Sequence, residues 1–263
     1  MTYLGLLSAT GFFFGGTFLA TGEPVQGAFL LWGGFLFLAV AAQGTLTRVL
    51  VRRSATGGIR LSTVPESGES AVVIPYSSSL FWLMFTVPAV LFGIAGIVLI
   101  PLGGWALATQ EFDLIVPAAI GVVGVVYAVA MLTHVCTGKL ARGYVALSPT
   151  GIYHRSWALT SFVSWRHVMD VDPCDDKGPA IEVHAMRSPE GWVRQTSRLW
   201  NQPELAFAPY LMVRGMYLSV DPALVYHALQ FYFSRPDARS ELGDHAGVER
   251  LRRGDLAPSE ELS

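Results

Sequence analysis

The sequence predicts a membrane α-helical bundle of four transmembrane helices joined to a cytosolic α+β domain, an antiparallel, partly open barrel capped by a C-terminal helix. Three observations carry that reading. Four stretches are long, apolar and uncharged; all 18 lysines and arginines fall either between Arg48 and Arg60 or from Lys139 onward; and beyond Arg142 the pattern turns to short strand-sized runs that end in one amphipathic helix. With 52% hydrophobic and 14% charged residues and a mean hydropathy of +0.43, the chain is more apolar than an ordinary soluble protein.

Leu114 to Val135 is a run of 22 residues without a charge, closing on His134, Cys136, Lys139 and Arg142. About 20 apolar residues cross a bilayer as helix, so this run is long enough to span. Tyr3 to Ala20 is a shorter first span. No basic residue and no clear cleavage site mark it as a signal peptide, so a retained helix is favoured. Thr21-Gly-Glu-Pro turns the chain into a second span, Gly27 to Leu46. Leu80 to Gly103 is the third, with Pro88 expected to bend it. The membrane domain is then residues 1–138, with spans about 3–20, 27–46, 80–103 and 114–135 and a loop at 48–79. Within that loop Ile59–Val64 and Ala71–Ile74 flank a turn and predict a small hairpin.

Lysines and arginines of short loops mark the cytoplasmic side of a membrane protein. The 21–26 and 104–113 loops hold none, the 48–60 loop holds four, and the exit of the last span holds Lys139 and Arg142. Both termini are therefore expected in the cytoplasm, and the protein in the cell membrane. Cys136 and Cys174 then face a reducing compartment as free thiols.

Residues 139–240 read as the cytosolic domain. Tyr144–Leu147, Ile152–Trp157, Phe162–Trp165, His167–Asp172 and Ala180–Ala185 are strand-like, with Leu211–Val213 and Met216–Val220 as further strands. Asp221 is an N-cap and Pro222 the first helical residue of a helix that places Leu224, Val225, Ala228, Leu229 and Tyr232 on one face. Residues 241–263, rich in Gly, Asp, Glu and Arg, read as a flexible tail.

Tyr144-Val-Ala-Leu-Ser-Pro-Thr-Gly-Ile-Tyr-His-Arg followed by Val163-Ser-Trp-Arg-His-Val resembles the wording of bacterial pleckstrin-homology-like domains, over roughly residues 142–234. The segment from Leu218 to Leu242 is similar to the tails of actinobacterial integral membrane proteins of unassigned function that carry such a domain. The resemblance implies a bent antiparallel sheet capped by one helix, able to bind protein, peptide or lipid. On the residues themselves, Gly151 serves the turn after Ser148-Pro-Thr through a positive φ. Trp165 anchors the sheet against the helix with its indole N–H satisfied. Residues 186–210, with Trp192, Trp200 and three arginines, are too long for a simple hairpin.

Chemistry is sparse. His134 and Cys136 are two apart, on different helix faces. His154, His167 and His184 fall in separate strands. Asp170, Asp172, Asp175 and Asp176 lack calcium-loop spacing and read as a solvated acidic loop. No phosphate-binding glycine loop or nucleophile elbow is present, and no catalytic, metal or cofactor residue is assigned. Gly11 and Gly15 allow close helix approach, within the bundle or in a homodimer. Residues 139–240 carry 11 basic and 9 acidic side chains, a net of +2, with no basic stripe for nucleic acid. Arg155, Trp157, Arg166, Arg194 and Arg198 remain as contacts for a partner or a lipid headgroup. The expectation is a non-catalytic membrane scaffold or accessory subunit in a complex, presenting a protein-binding domain at the inner membrane surface. The alternative is a lipid-sensing component reading anionic headgroups.

Overall fold

The computed structural model describes residues 2–22, 24–48, 56–109, 115–176, 178–200, 204–205 and 211–256. They group into two compact units, Met1–Leu46 with Ser79–Gly138, and Thr47–Ser78 with Lys139–Ser263.

The first unit is helical. It comprises α1 (Thr2–Ala20), α2 (Pro24–Arg48), the short α3 (Ser78–Phe81), a π-helical turn at Trp82–Thr86, α4 (Val87–Thr109) and α5 (Ile115–Cys136). Four helical stretches, Tyr3–Ala20, Gln26–Leu46, Ser78–Pro101 and Ala118–Cys136, are long and apolar enough to cross a membrane. Only 11% of the first two and 22% of the last two is buried, so most of their apolar surface needs a hydrocarbon surrounding. The π turn sits directly before Pro88, where the Val87 amide reaches back to the Trp82 carbonyl. A proline cannot donate and its ring crowds the preceding turn, and the widened π turn gives that ring room.

Small residues set the helix spacing. A Cβ on Gly11 would lie 2.9 Å from the Leu30 carbonyl oxygen and 3.0 Å from the Gly34 Cα, and Ser8 donates to the Gly34 carbonyl at 2.9 Å. Gly11 and Gly15 thus serve the α1–α2 contact. Gly96 and Gly121 play the same part between α4 and α5. Trp32 on α2 donates to the Leu91 carbonyl at 2.9 Å and meets Phe92 edge-on at 5.5 Å, which ties the two helix pairs.

The second unit is built from two separated pieces of chain. Strands β1 (Arg60–Thr63) and β2 (Ser70–Pro75) precede the last two spans; β3 (Tyr144–Leu147), β4 (Gly151–Arg155), β5 (Leu159–Ser164), β6 (Val168–Asp175), β7 (Pro179–Ala185), β8 (Trp192–Gln195) and β9 (Leu211–Arg214) follow them. They form a six-stranded sheet, β1-β2-β3-β4-β5-β8, and a three-stranded one, β6-β7-β9, with every pairing antiparallel. The hairpin expected in the 48–79 loop is therefore no appendage of the membrane domain. Val72 pairs with Leu147 and Pro75 with Tyr144, so β2 and β3 are neighbours and the helices α3 to α5 are inserted between them. The reason is apolar: five of the six β2 residues are buried, which a two-stranded hairpin on its own cannot achieve.

Helix α6 (Pro222–Ser234) matches its signals. Asp221 caps the Ala223 amide at 2.9 Å, and Val225, Ala228, Leu229, Phe231 and Tyr232 are buried against β6 and β7. Two expectations are corrected. Met216–Val220 is not a strand: Gly215–Tyr217 forms a 3-10 turn, and the stretch laces onto β2, with the Ser219 amide and hydroxyl both donating to the Pro75 carbonyl. The segment from 241 is not a free tail up to residue 256. A 3-10 stretch (Pro236–Gly243) leads to α7 (His245–Arg253), which buries Val248, Leu251 and, past its end, Leu256. Arg250 pairs with Glu241 at 2.6 Å and lies 5.0 Å over the Phe231 ring. Residues 257–263 of the expected tail lie outside the described residues.

Gly151 also differs in its reason. Its φ is not positive; it opens β4 as ordinary strand, and a Cβ there would collide with the Val163 carbonyl and the Phe162 ring. Trp165 is buried with its indole N–H donating to the Ser148 carbonyl at 2.8 Å, and the cover over its ring is the Arg239 guanidinium at 5.0 Å.

Candidate binding face on the soluble unit

The antiparallel register places residues in rows across the six-stranded sheet. One row runs Val73, Ala146, Tyr153, Phe162, Trp192, and the next on the same face runs Tyr144, Arg155, Thr160, Arg194. The first row carries a small core with Val64 and Ala71, and its rings touch in sequence: Tyr153 to Phe162 at 4.4 Å, Phe162 to Trp192 at 6.5 Å. Trp192 is half-buried at the end of that row because β8 is the last strand.

Of the residues expected to meet a partner, Arg166, Arg194 and Arg198 are exposed and Arg155 is half-buried. Trp157 does not belong with them. It is 1% exposed, packed on Tyr76 at 5.5 Å and Tyr217 at 5.0 Å, and is a core residue. The tight turn between β4 and β5 folds Trp157 inward.

Beside β8 lies a cleft of about 220 Å³, walled by Phe162, Val163, Ala185, Met186, Trp192 and Val193. Its polar lining includes Ser161, His167, Arg187 and Ser188. The His167 Nδ1 is buried without a hydrogen-bond partner and stands 4.0 Å from Glu190. Among the described residues, Arg166, Arg187, Arg194 and Arg198 are in no ion pair. The exposed apolar residues of this unit, Met169, Met186, Val193 and Leu199, come from the same stretch of chain. Arg187 was not singled out from the sequence, and His167 was considered only with His154 and His184, because nothing local says that the 186–191 connection comes to line a cleft with β5 and β8.

A second polar group is largely internal, with Arg214 and Glu204 buried and Asp176 half-buried. Arg214 on β9 pairs with Asp176 and lies 3.4 Å from Glu204, which also accepts from the Ser156 hydroxyl at 3.3 Å. Close by, the Tyr76 hydroxyl and His154 Nε2 are 2.6 Å apart. Burial pushes the His154 pKa down to about 4 and holds the Tyr76 phenol well above its ordinary value, with the Glu204 carboxylate adding to the latter. His154 is thus neutral in the fold. The unfolded chain protonates near pH 6.5, so in the window from there down to about 4 it binds more protons than the fold. Stability is complete above about pH 6.5 and falls by roughly 3 kcal/mol as the pH drops towards 4. Denaturant melts from pH 7 downward check this, and the slope should flatten in His154→Gln. An unchanged slope in that variant would remove His154 as its source.

His154 and His184 do not converge. His154 is in the six-stranded sheet and His184 in the three-stranded one, where it lies 3.6 Å from Asp172 and 3.9 Å from Glu182. The expected acidic loop is strand β6 and the turn after it, and its carboxylates are occupied locally: Asp170 accepts from the Val171 amide, Asp175 from the Gly178 amide, and Asp176 from Arg214. Among the described residues no three His, Cys, Asp or Glu side chains gather as a metal needs. Burial and then the Glu182 charge raise the Cys174 thiol, which slows its alkylation without preventing it. In the helical unit an apolar groove of about 680 Å³ lies along Phe92, Ile115, Ala119, Val123 and Tyr127, without a charged residue in its lining.

No protein-family model, no curated protein and no solved structure matches this chain.

Proposed function

We propose that the protein is a non-catalytic scaffold or accessory subunit of the cell membrane, which presents a pleckstrin-homology-like sheet domain as a protein-binding surface at the cytoplasmic face. The observation that carries this is the pairing of β2 with β3 on either side of an inserted helical pair. Two strands that pair must lie on one side of a membrane, and the two spans between them satisfy that parity. The chain passes between the two units at Leu46–Thr47, Ser78–Ser79 and Gly138–Lys139, so three covalent connections join the sheet domain to the helices. A surface held in that way raises the local concentration of whatever it binds. The cytoplasmic assignment follows the basic residues of the 48–60 loop and of the exit at Lys139 and Arg142.

Mild-detergent purification of the full chain followed by mass spectrometry is expected to return a partner in fixed stoichiometry, and a chain that purifies alone from its native membrane would count against the scaffold. For sidedness, Cys174 in a Cys136→Ser background should resist an impermeant maleimide in intact cells and react after permeabilisation. Reaction in intact cells would reverse the assignment. A second reading, contact with anionic headgroups, is favoured by the four unpaired arginines beside exposed Met186, Val193 and Leu199.

A further inference from the structure

We propose that the outer edge of β8 takes up an extended acidic segment of a partner protein, which adds to the six-stranded sheet as a seventh strand. This rests on the protein-binding reading above and names its surface and chemistry.

Sheets that end in solvent are normally blunted. In this unit β1 is flanked by α7, whose Arg252 donates to the Ile59 carbonyl at 2.6 Å, and the edge of β6 is capped where Gln230 of α6 donates to the Val171 carbonyl at 2.6 Å. Among the described residues no strand pairs with the outer edge of β8. That edge displays Val193, Arg194 and Gln195 to solvent, with no proline or acidic gatekeeper.

The register states what would fit. A residue opposite Trp192 continues the row of Tyr153, Phe162 and Trp192, and a β-branched or aromatic side chain packs best there. A residue opposite Arg194 meets an unpaired guanidinium and is acidic. The residue between them shares a face with Val193, which lines the cleft, and is apolar. Arg187 adds a second guanidinium, in the lining of that cleft, and Glu190 is the acidic residue nearby, 4.0 Å from His167. The recognised segment therefore reads acidic, apolar, β-branched in an antiparallel strand, with backbone hydrogen bonds supplying affinity and these side chains the choice. A lipid surface explains the arginines but makes no use of a strand edge or of the ordered row behind it.

The test uses the full chain in phosphatidylcholine nanodiscs and a fluorescein-labelled peptide, Ser-Thr-Val-Glu-Val-Thr-Ser, whose pattern is the same in either direction. Saturable binding is expected by anisotropy, weakened about tenfold by Arg194→Glu, and restored to that variant when the central residue of the peptide is lysine. Absence of saturable binding up to about 1 mM peptide overturns the proposal. So does binding that Arg194→Glu leaves unchanged. If the peptide stays unbound and the variant instead loses a preference for nanodiscs containing phosphatidylglycerol, the face is a lipid contact and the strand proposal falls. A full chain carrying Arg194→Glu that still co-purifies with its stoichiometric partner removes this edge and leaves the scaffold standing.

Discussion

Removal of residues 1–46 together with replacement of Ser79–Gly138 by a short glycine-serine linker is expected to give a water-soluble domain that unfolds cooperatively. The covalent argument is local. The Tyr76 amide donates to the Gly143 carbonyl at 2.9 Å and Pro75 faces Tyr144, so β2 and β3 can be rejoined as an ordinary hairpin. By contrast, residues 142–240 alone should not fold. That cut removes Ile59, Val64, Val72, Val73 and Ile74, each at most 6% exposed, and at about 1.5–3 kcal/mol per buried aliphatic side chain the loss is comparable with the whole stability of a domain. Near-UV circular dichroism and a thermal melt distinguish the two products. A joined chain that shows no aromatic signal and no transition would mean that the helices are part of the domain's core.

Trp157→Ala is expected to destabilise the same unit by roughly 3–5 kcal/mol, because it removes a fully buried indole that packs on both Tyr76 and Tyr217 and leaves a cavity beside them. Arg194→Ala, on the same sheet, should change stability by less than about 0.5 kcal/mol. Urea titrations of the two variants give both numbers. Equal effects would show that Trp157 is a surface residue after all.

What the sequence made legible depends on range. The four spans are local, each an unbroken apolar run with charges at its ends, and the helix from Pro222 announces itself within five residues. Strands β3 to β7 also show in their spacing. The membership of β1 and β2 in the same sheet does not, because pairing across an inserted pair of helices leaves no periodic trace; only the near-continuous burial of Ala71–Pro75 records it, and in sequence that run looks like any short apolar stretch. Helix α7 was hidden by its charges. Two buried residues three apart, Val248 and Leu251, are too few to stand out among Arg250, Arg252 and Arg253. Of the candidate face, Arg194 lies on β8 and Arg198 three residues past its end, whereas Trp157 was misassigned because an aromatic near an arginine reads alike in a core and on a surface. The cleft itself depends on how the 186–191 connection crosses from one sheet to the other, which no local signal states.

The insertion of a helical pair between two neighbouring strands has a consequence for biogenesis. As the chain is made, β2 is complete before α4 and α5 exist, and its partner edge cannot form until both helices have crossed the membrane and returned β3 to the same compartment. A chain in which one of them fails to insert strands the two halves of the sheet on opposite sides and leaves buried-type residues such as Val72 and Ile74 exposed to water and to proteases. A mistake in membrane topology is thereby converted into a misfolded domain, a form in which quality control can find it.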